Sequence, residues 1–201
     1  MSTLPVIPRS TGCDALRHGP ELLQYGTAEY LIKSGIAVVS EQSEQIVIAD
    51  LNNPLHASAM IEVLNHYADG IMGGGEKLSD FTRANLAAEL ARRPNVHVVL
   101  AFIDDEPAGL VISIEGFSTF SCKPLLNVHD VAVMEKFQGR GLSKRIMNKT
   151  EEIARELGCC KLTLEVLEGN KVAQNAYRSL GYASYELDAA MGKAMFWQKY
   201  L

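Results

Sequence analysis

The apolar positions of this chain change their period several times. Residues 45–49 (Gln-Ile-Val-Ile-Ala) read as a strand. Asn53-Pro54 breaks it and starts a helix, with Pro54 near the first helical position. Ala59, Met60, Val63, Leu64 and Tyr67 then form one apolar face. Gly70-Ile-Met-Gly-Gly-Gly75 reads as a flexible loop. Ser79, with Asp80 in reserve, is the expected N-cap of a helix through Phe81, Leu86, Ala87 and Leu90 that ends before Pro94. Residues 96–103 read as a strand, 104–107 as a turn and 108–114 as the return of a hairpin. Residues 116–124 read as a polar-aromatic loop. A β-branched run then opens at Leu125 and closes on Val131-Ala132-Val133.

Beyond Gln138-Gly-Arg-Gly141 the period lengthens to that of a helix. Leu142, Ile146, Thr150, Ile153 and Leu157 share a stripe, and Gly158 supplies the stop. Residues 161–166 alternate like a strand, 170–182 read as a helix and its exit, and a last pair of strands is expected at 183–187 and 194–200. The sum is an α/β (α+β) sheet with helices on both faces, spanning 45–201. Residues 1–44 precede it, with a short helix expected at 21–33 and a strand at 36–39. This extension is expected to be an arm packed on the domain or on the second copy of a homodimer, or else a mobile tail.

A glycine-bearing loop that enters a helix exposes N–H groups without intrahelical partners, and the helix dipole adds to them. Such a place binds phosphate or pyrophosphate, or simply caps a surface helix. Gly139 and Gly141 would let the backbone approach the phosphates, and Arg140 could add a charge-assisted bond. The loop lacks the Gly-Lys-Ser/Thr of a P-loop, and Gly139-Arg-Gly141 is not followed by the third glycine of a dinucleotide fingerprint.

Gln138-Gly-Arg-Gly141-Leu-Ser143 does resemble the Q/R-x-x-G-x-G/A loop of the GNAT superfamily of acyl-CoA-dependent N-acyltransferases. Ser143 stands where that family usually has Gly or Ala. Asn170-x-x-Ala173-x-x-x-Tyr177-x-x-x-Gly181-Tyr182 resembles the second signature of the same family, in the same order and at the same distance. The resemblance implies a mixed, mostly antiparallel central sheet flanked by helices on both faces. It also implies acetyl-CoA as co-substrate and a primary amine on a small molecule or a peptide as acceptor. The amides of Gln138, Gly139, Arg140, Gly141, Leu142 and Ser143 would hold the pyrophosphate. The strand end at Val131, Ala132 and Val133 would pair with the pantetheine, with the Val133 N–H aimed at the thioester oxygen.

Composition narrows the setting. With 201 residues, 47% hydrophobic and 21% charged, the chain is an ordinary globule, and its net charge of −5 argues against nucleic acid as the main partner. Lys136, Arg140, Lys144 and Arg145 make a local positive spot beside the loop. The acidic balance favours a cationic acceptor such as a polyamine, an amino sugar, an amino acid derivative or a basic peptide terminus. Cys13, Cys122, Cys159 and Cys160 form neither a zinc pattern nor a disulfide framework. His56, His66 and His97 are scattered, so no metal is expected. No apolar run suits a signal peptide or a membrane span, and a cytoplasmic setting is expected.

Acyl transfer to an amine needs a proton acceptor for the amine and a donor for the departing thiolate. Tyr177 is the expected acid, because a phenol titrates at or above a thiol. It shares a helix face with Asn170 and Ala173, which would contact the pantetheine; Asn170 could equally cap the helix. His129 and Asp130 are the candidate bases. In a regular strand they point to opposite faces, with Asn127 on the His129 side. Direct attack without a covalent enzyme intermediate is expected. The competing readings are an acyl-CoA sensor or scaffold that does not turn over, and a protein that binds ATP or NAD.

Overall fold

The computed structural model describes residues 42–186, 188, 190 and 192–201. The helix expected at 21–33, the strand at 36–39 and Leu187 lie outside the described residues. The elements run β1 (Glu44–Ile48), α1 (Pro54–Asp69), α2 (Asp80–Ala91), β2 (Val96–Ile103), β3 (Glu106–Ser118), β4 (Lys123–Val133), a 3-10 turn (Glu135–Phe137), α3 (Leu142–Glu156), β5 (Leu162–Leu164) and α4 (Lys171–Ser179). The sheet order is β1-β2-β3-β4-β5. Its first three pairings are antiparallel, and only β4–β5 is parallel.

Period-2 alternation in β2 and β3 sends side chains to two cores. Val98, Leu100, Leu110 and Ile112 meet Ala59, Met60, Val63 and Leu64 of α1 on one face. Val99, Ala101 and Val111 meet Ile146, Met147, Ile153 and Ala154 of α3 on the other. Both apolar stripes read from the sequence are therefore the buried ones. The caps agree too. Asn53 Oδ1 accepts from the Leu55 N–H at 2.9 Å, and Ser79 Oγ from the Thr82 N–H at 3.1 Å.

Four stretches differ from the sequence reading. The strand expected at 161–166 covers only Leu162–Leu164. The β2–β3 turn is tighter than expected. Asp104 and Asp105, at φ 50° and 63°, close a two-residue hairpin, so β3 starts at Glu106. Residues 116–118 and 123–124 are strand, not loop, and pair out to Ser118↔Lys123. Phe117 and Phe120 there are exposed and belong to neither core cluster, so burial leaves no alternation to read in this stretch. The expected C-terminal strand pair is reduced, among the described residues, to a single bridge, Glu186↔Lys193. Phe196, Trp197 and Tyr200 are exposed, so the apolar residues of that stretch face no core.

Candidate active site

The site is built where β4 loses its second neighbour. β5 pairs only with Leu126, Asn127 and Val128, whereas β3 accompanies β4 on to Val133. From His129 onward one edge of β4 is therefore unpaired with any described strand. The Met134 N–H donates to Ala108 O on the β3 side at 2.9 Å. Strand alternation then turns the N–H and C=O of Val133 to the open edge. The Val133 carbonyl indeed accepts there from Gln138 Nε2 at 3.0 Å. At the point of separation Asn127 Nδ2 donates to Thr163 Oγ1 at 3.1 Å and to both Glu165 carboxylate oxygens at 3.3 Å.

A β-bulge sits in the same place. Asp130 opposes Ile112 and Val128 opposes Ser113, so His129 is an extra residue in β4. The bulge exchanges the faces. Leu126 and Val128 belong to the α3-side core, but beyond His129 it is Val131 and Val133 that do, while Ala132 joins the α1 side. The alternation that would set His129 and Asp130 on opposite faces is interrupted between them. Asp130 keeps step with Ala132 towards α1, and His129 is exposed.

Burial raises the Asp130 carboxyl, and the neighbouring His129 opposes this. Its charge reaches Tyr67 at the end of α1, a phenol raised first by burial and then by Asp130. Tyr177 on α4 is raised by burial and secondarily by Tyr67. Asp130 thus acts on Tyr67, and Tyr67 on Tyr177. Tyr177 packs on the α3-side core, its ring centroid 5.9 Å from that of Tyr182. Burial and the charge of Glu151 push the Tyr182 phenol up to about 12. Asn170 is the N-cap of α4, its Oδ1 accepting from the Ala173 N–H at 3.0 Å.

The loop from Gln138 to Ser143 leads from this edge into α3. Gly139 and Gly141 are left-handed, at φ 73° and 72°. That conformation is strained for other residues, and a Cβ on Gly139 would meet no atom within 4 Å. The Lys144 and Arg145 amides return to Gly141 O at 3.1 and 3.3 Å. The amides of Gly139, Arg140, Gly141, Leu142 and Ser143 have no partner among the described residues, whereas the Gln138 amide, expected with them, already donates to Glu135 O at 3.1 Å and closes the 3-10 turn. Five free donors at the start of a 15-residue helix fit a pyrophosphate.

The positive spot is mostly occupied. Lys136 pairs with Glu106, Arg145 with Glu44, and Arg140 donates to Gln42 Oε1 at 2.8 Å while lying over Phe137. The Arg140 guanidinium is thus committed to the β1 side of the loop. Tyr67, read only as part of an apolar face, also carries a polar end that periodicity missed, a hydroxyl within the electrostatic reach of Asp130. Its hydroxyl donates to Met72 O at 3.2 Å and fastens the 70–75 loop to α1. The signal was a phenol at the end of an apolar stripe directly before a glycine cluster.

Comparison with known proteins agrees with this architecture. The family profile "Acetyltransferase (GNAT) family" matches residues 60–182. A thialysine N-epsilon-acetyltransferase of Caenorhabditis elegans is 29% identical over 134 residues, covering 65% of this chain and 79% of that protein. The Bos taurus enzyme of the same name is 32% identical over 117 residues, covering 53% of this chain and 69% of its own. Among solved structures, an aminoglycoside N-acetyltransferase in complex with CoA shares the fold at TM-score 0.62 and 15% identity, covering 82% of this chain and 99% of that one. With a profile match that runs from α1 through both signatures, the chain belongs to the GNAT superfamily of N-acetyltransferases and is an acyltransferase.

Proposed function

We propose that the protein transfers the acetyl group of acetyl-CoA to the primary amine of a small cationic molecule, by direct attack in a ternary complex. The observation that carries this reading is one juxtaposition. Asp130 sits on the strand whose edge opens at His129, that strand leads into a loop with five amides unpartnered among the described residues, and Tyr177 packs on the same core that Val131 and Val133 join. Acetyl-CoA would supply an activated thioester; the chain holds, orients and moves protons around it.

The loop amides of residues 139–143 hold the pyrophosphate. The edge of β4 takes the pantetheine as an added strand. The outward N–H of Val133 polarises the carbonyl to be attacked, where a fixed donor is worth about 3 kcal/mol in the transition state. Asp130 accepts the amine proton. Burial raises its carboxyl, which makes the carboxylate a stronger base than an exposed one. His129, exposed at the bulge beside Asp130, is the proposed carrier of that proton to solvent. Tyr177 donates to the departing thiolate, and its raised phenol stays protonated at neutral pH. Asn170 and Ala173 shape the first turn of α4 against the pantetheine.

Relatives that acetylate thialysine, and neighbours of the fold named for aminoglycosides, support a small amine as acceptor. Asp130 and Glu165 by the open edge suit its positive charge. Cys122, Cys159 and Cys160 are free thiols, which suits the cytoplasm. No described helix is long and apolar enough to cross a membrane. The test is product analysis by mass spectrometry after incubation with acetyl-CoA and thialysine, polyamines, aminoglycosides and a lysine peptide in turn. Acetylation of a free small amine supports the reading. Acetylation of the peptide alone, or of none, refutes it.

A further inference from the structure

We propose that Arg145, clamped by Glu44, is the positioning residue of the 139–143 loop: its guanidinium fixes the direction of the peptide between Arg140 and Gly141. The inference rests on the reading of that loop as the pyrophosphate cradle.

Arg145 Nε and Nη2 donate to the two carboxylate oxygens of Glu44 on β1, each at 2.5 Å. Its third nitrogen, Nη1, donates to the carbonyl of Arg140 at 2.9 Å. One planar fork therefore joins the first strand of the sheet to the middle of the loop. A peptide plane carries its C=O and its N–H on opposite sides. Turning the Arg140 carbonyl towards Arg145 turns the Gly141 N–H away from it, leaving that donor available to an anion. A flipped peptide would aim carbonyl lone pairs at a bound anion and remove one donor. Gly141 tolerates either sign of φ, so sterics alone do not prevent that flip. The hydrogen bond from Arg145 does.

Arginine is required for this. Lysine keeps the charge but cannot place three donors in one rigid plane. The role also separates from simple attraction of the anion. Glu44→Gln removes a negative charge beside the cradle, so attraction alone predicts tighter CoA binding. Positioning predicts the opposite, because the fork loses its anchor.

The experiment measures CoA affinity by calorimetry and steady-state constants for acetyl-CoA, with wild type, Glu44→Gln and Arg145→Lys. Loss of a charge-assisted bond corresponds to about a tenfold rise in Kd and KM in both variants, with kcat within about twofold. Thermal melts confirm that both fold, as expected for a half-exposed pair. Unchanged affinity in Arg145→Lys, or tighter binding in Glu44→Gln, overturns the proposal. A second readout needs no ligand: the Gly141 amide resonance of the free protein shifts in both variants. If it is unmoved in both, the positioning role falls. If wild type binds no CoA while that resonance still shifts, the cradle reading fails and the positioning of the loop stands.

Discussion

Replacing Tyr177 with phenylalanine separates a catalytic phenol from a packing one. The Tyr177 ring packs on the α3-side core against Tyr182, and phenylalanine preserves that contact. Its hydroxyl has no hydrogen-bond partner among the described residues, so deletion leaves no described group unpaired. The expected change in stability is therefore under about 1 kcal/mol. The kinetic change is much larger. A positioned acid contributes about 10²- to 10⁴-fold, equivalent to roughly 2.7–5.4 kcal/mol of barrier. Without it a thiolate of pKa near 8.5 must depart unprotonated. The assay is continuous release of CoA thiol at saturating amine, paired with calorimetry of CoA. The prediction is a fall in kcat of at least about a hundredfold with CoA affinity unchanged within threefold. A kcat within threefold of wild type would refute the argument and return Tyr177 to the role of a core side chain.

Three further outcomes follow from the same geometry. Asp130→Asn lowers kcat/KM by about 10²-fold or more at neutral pH, measured by the same thiol release. It also raises the melting temperature there. A carboxyl raised by burial stabilises the fold fully below its unfolded pKa, and that contribution is lost as pH rises through the folded value, whereas asparagine stays neutral throughout. The two melting curves should converge in acid, and a variant less stable than wild type at neutral pH would contradict this. Gly141→Ala, at φ 72°, strains the cradle by about 1–2 kcal/mol and weakens CoA binding roughly tenfold by calorimetry, with kcat much less affected. Ile146→Ala empties a position of α3 that is 0% exposed and costs about 2–5 kcal/mol in urea unfolding.

Most of the sheet and its helices were legible because periodicity is a direct imprint of burial. The α1 and α3 stripes, the Ser79 cap and the 139–141 loop all came from local pattern. What escaped was set by pairing across the chain. The bulge at His129 is invisible along β4 alone, since it exists only relative to Ile112 and Ser113 of β3. The opening between β4 and β5 depends on β5 being three residues long, although its sequence alternates over six. The Arg145–Glu44 clamp spans 101 positions and leaves no local mark. Tyr67 was read as core, because an apolar face says nothing about what meets the hydroxyl at its end.

The central claim is that this site binds acetyl-CoA and passes its acetyl group to a small amine. Calorimetry of the purified protein with acetyl-CoA, CoA, ATP and NAD in turn, followed at once by thiol release with a pool of small amines, tests it most directly. The account predicts CoA and acetyl-CoA binding in about the micromolar range, none by ATP or NAD, and release with a cationic primary amine. Binding without release from any amine would make the protein a sensor of acyl-CoA. Absence of CoA binding would contradict the reading of the Gln138–Ser143 loop on which the mechanism stands.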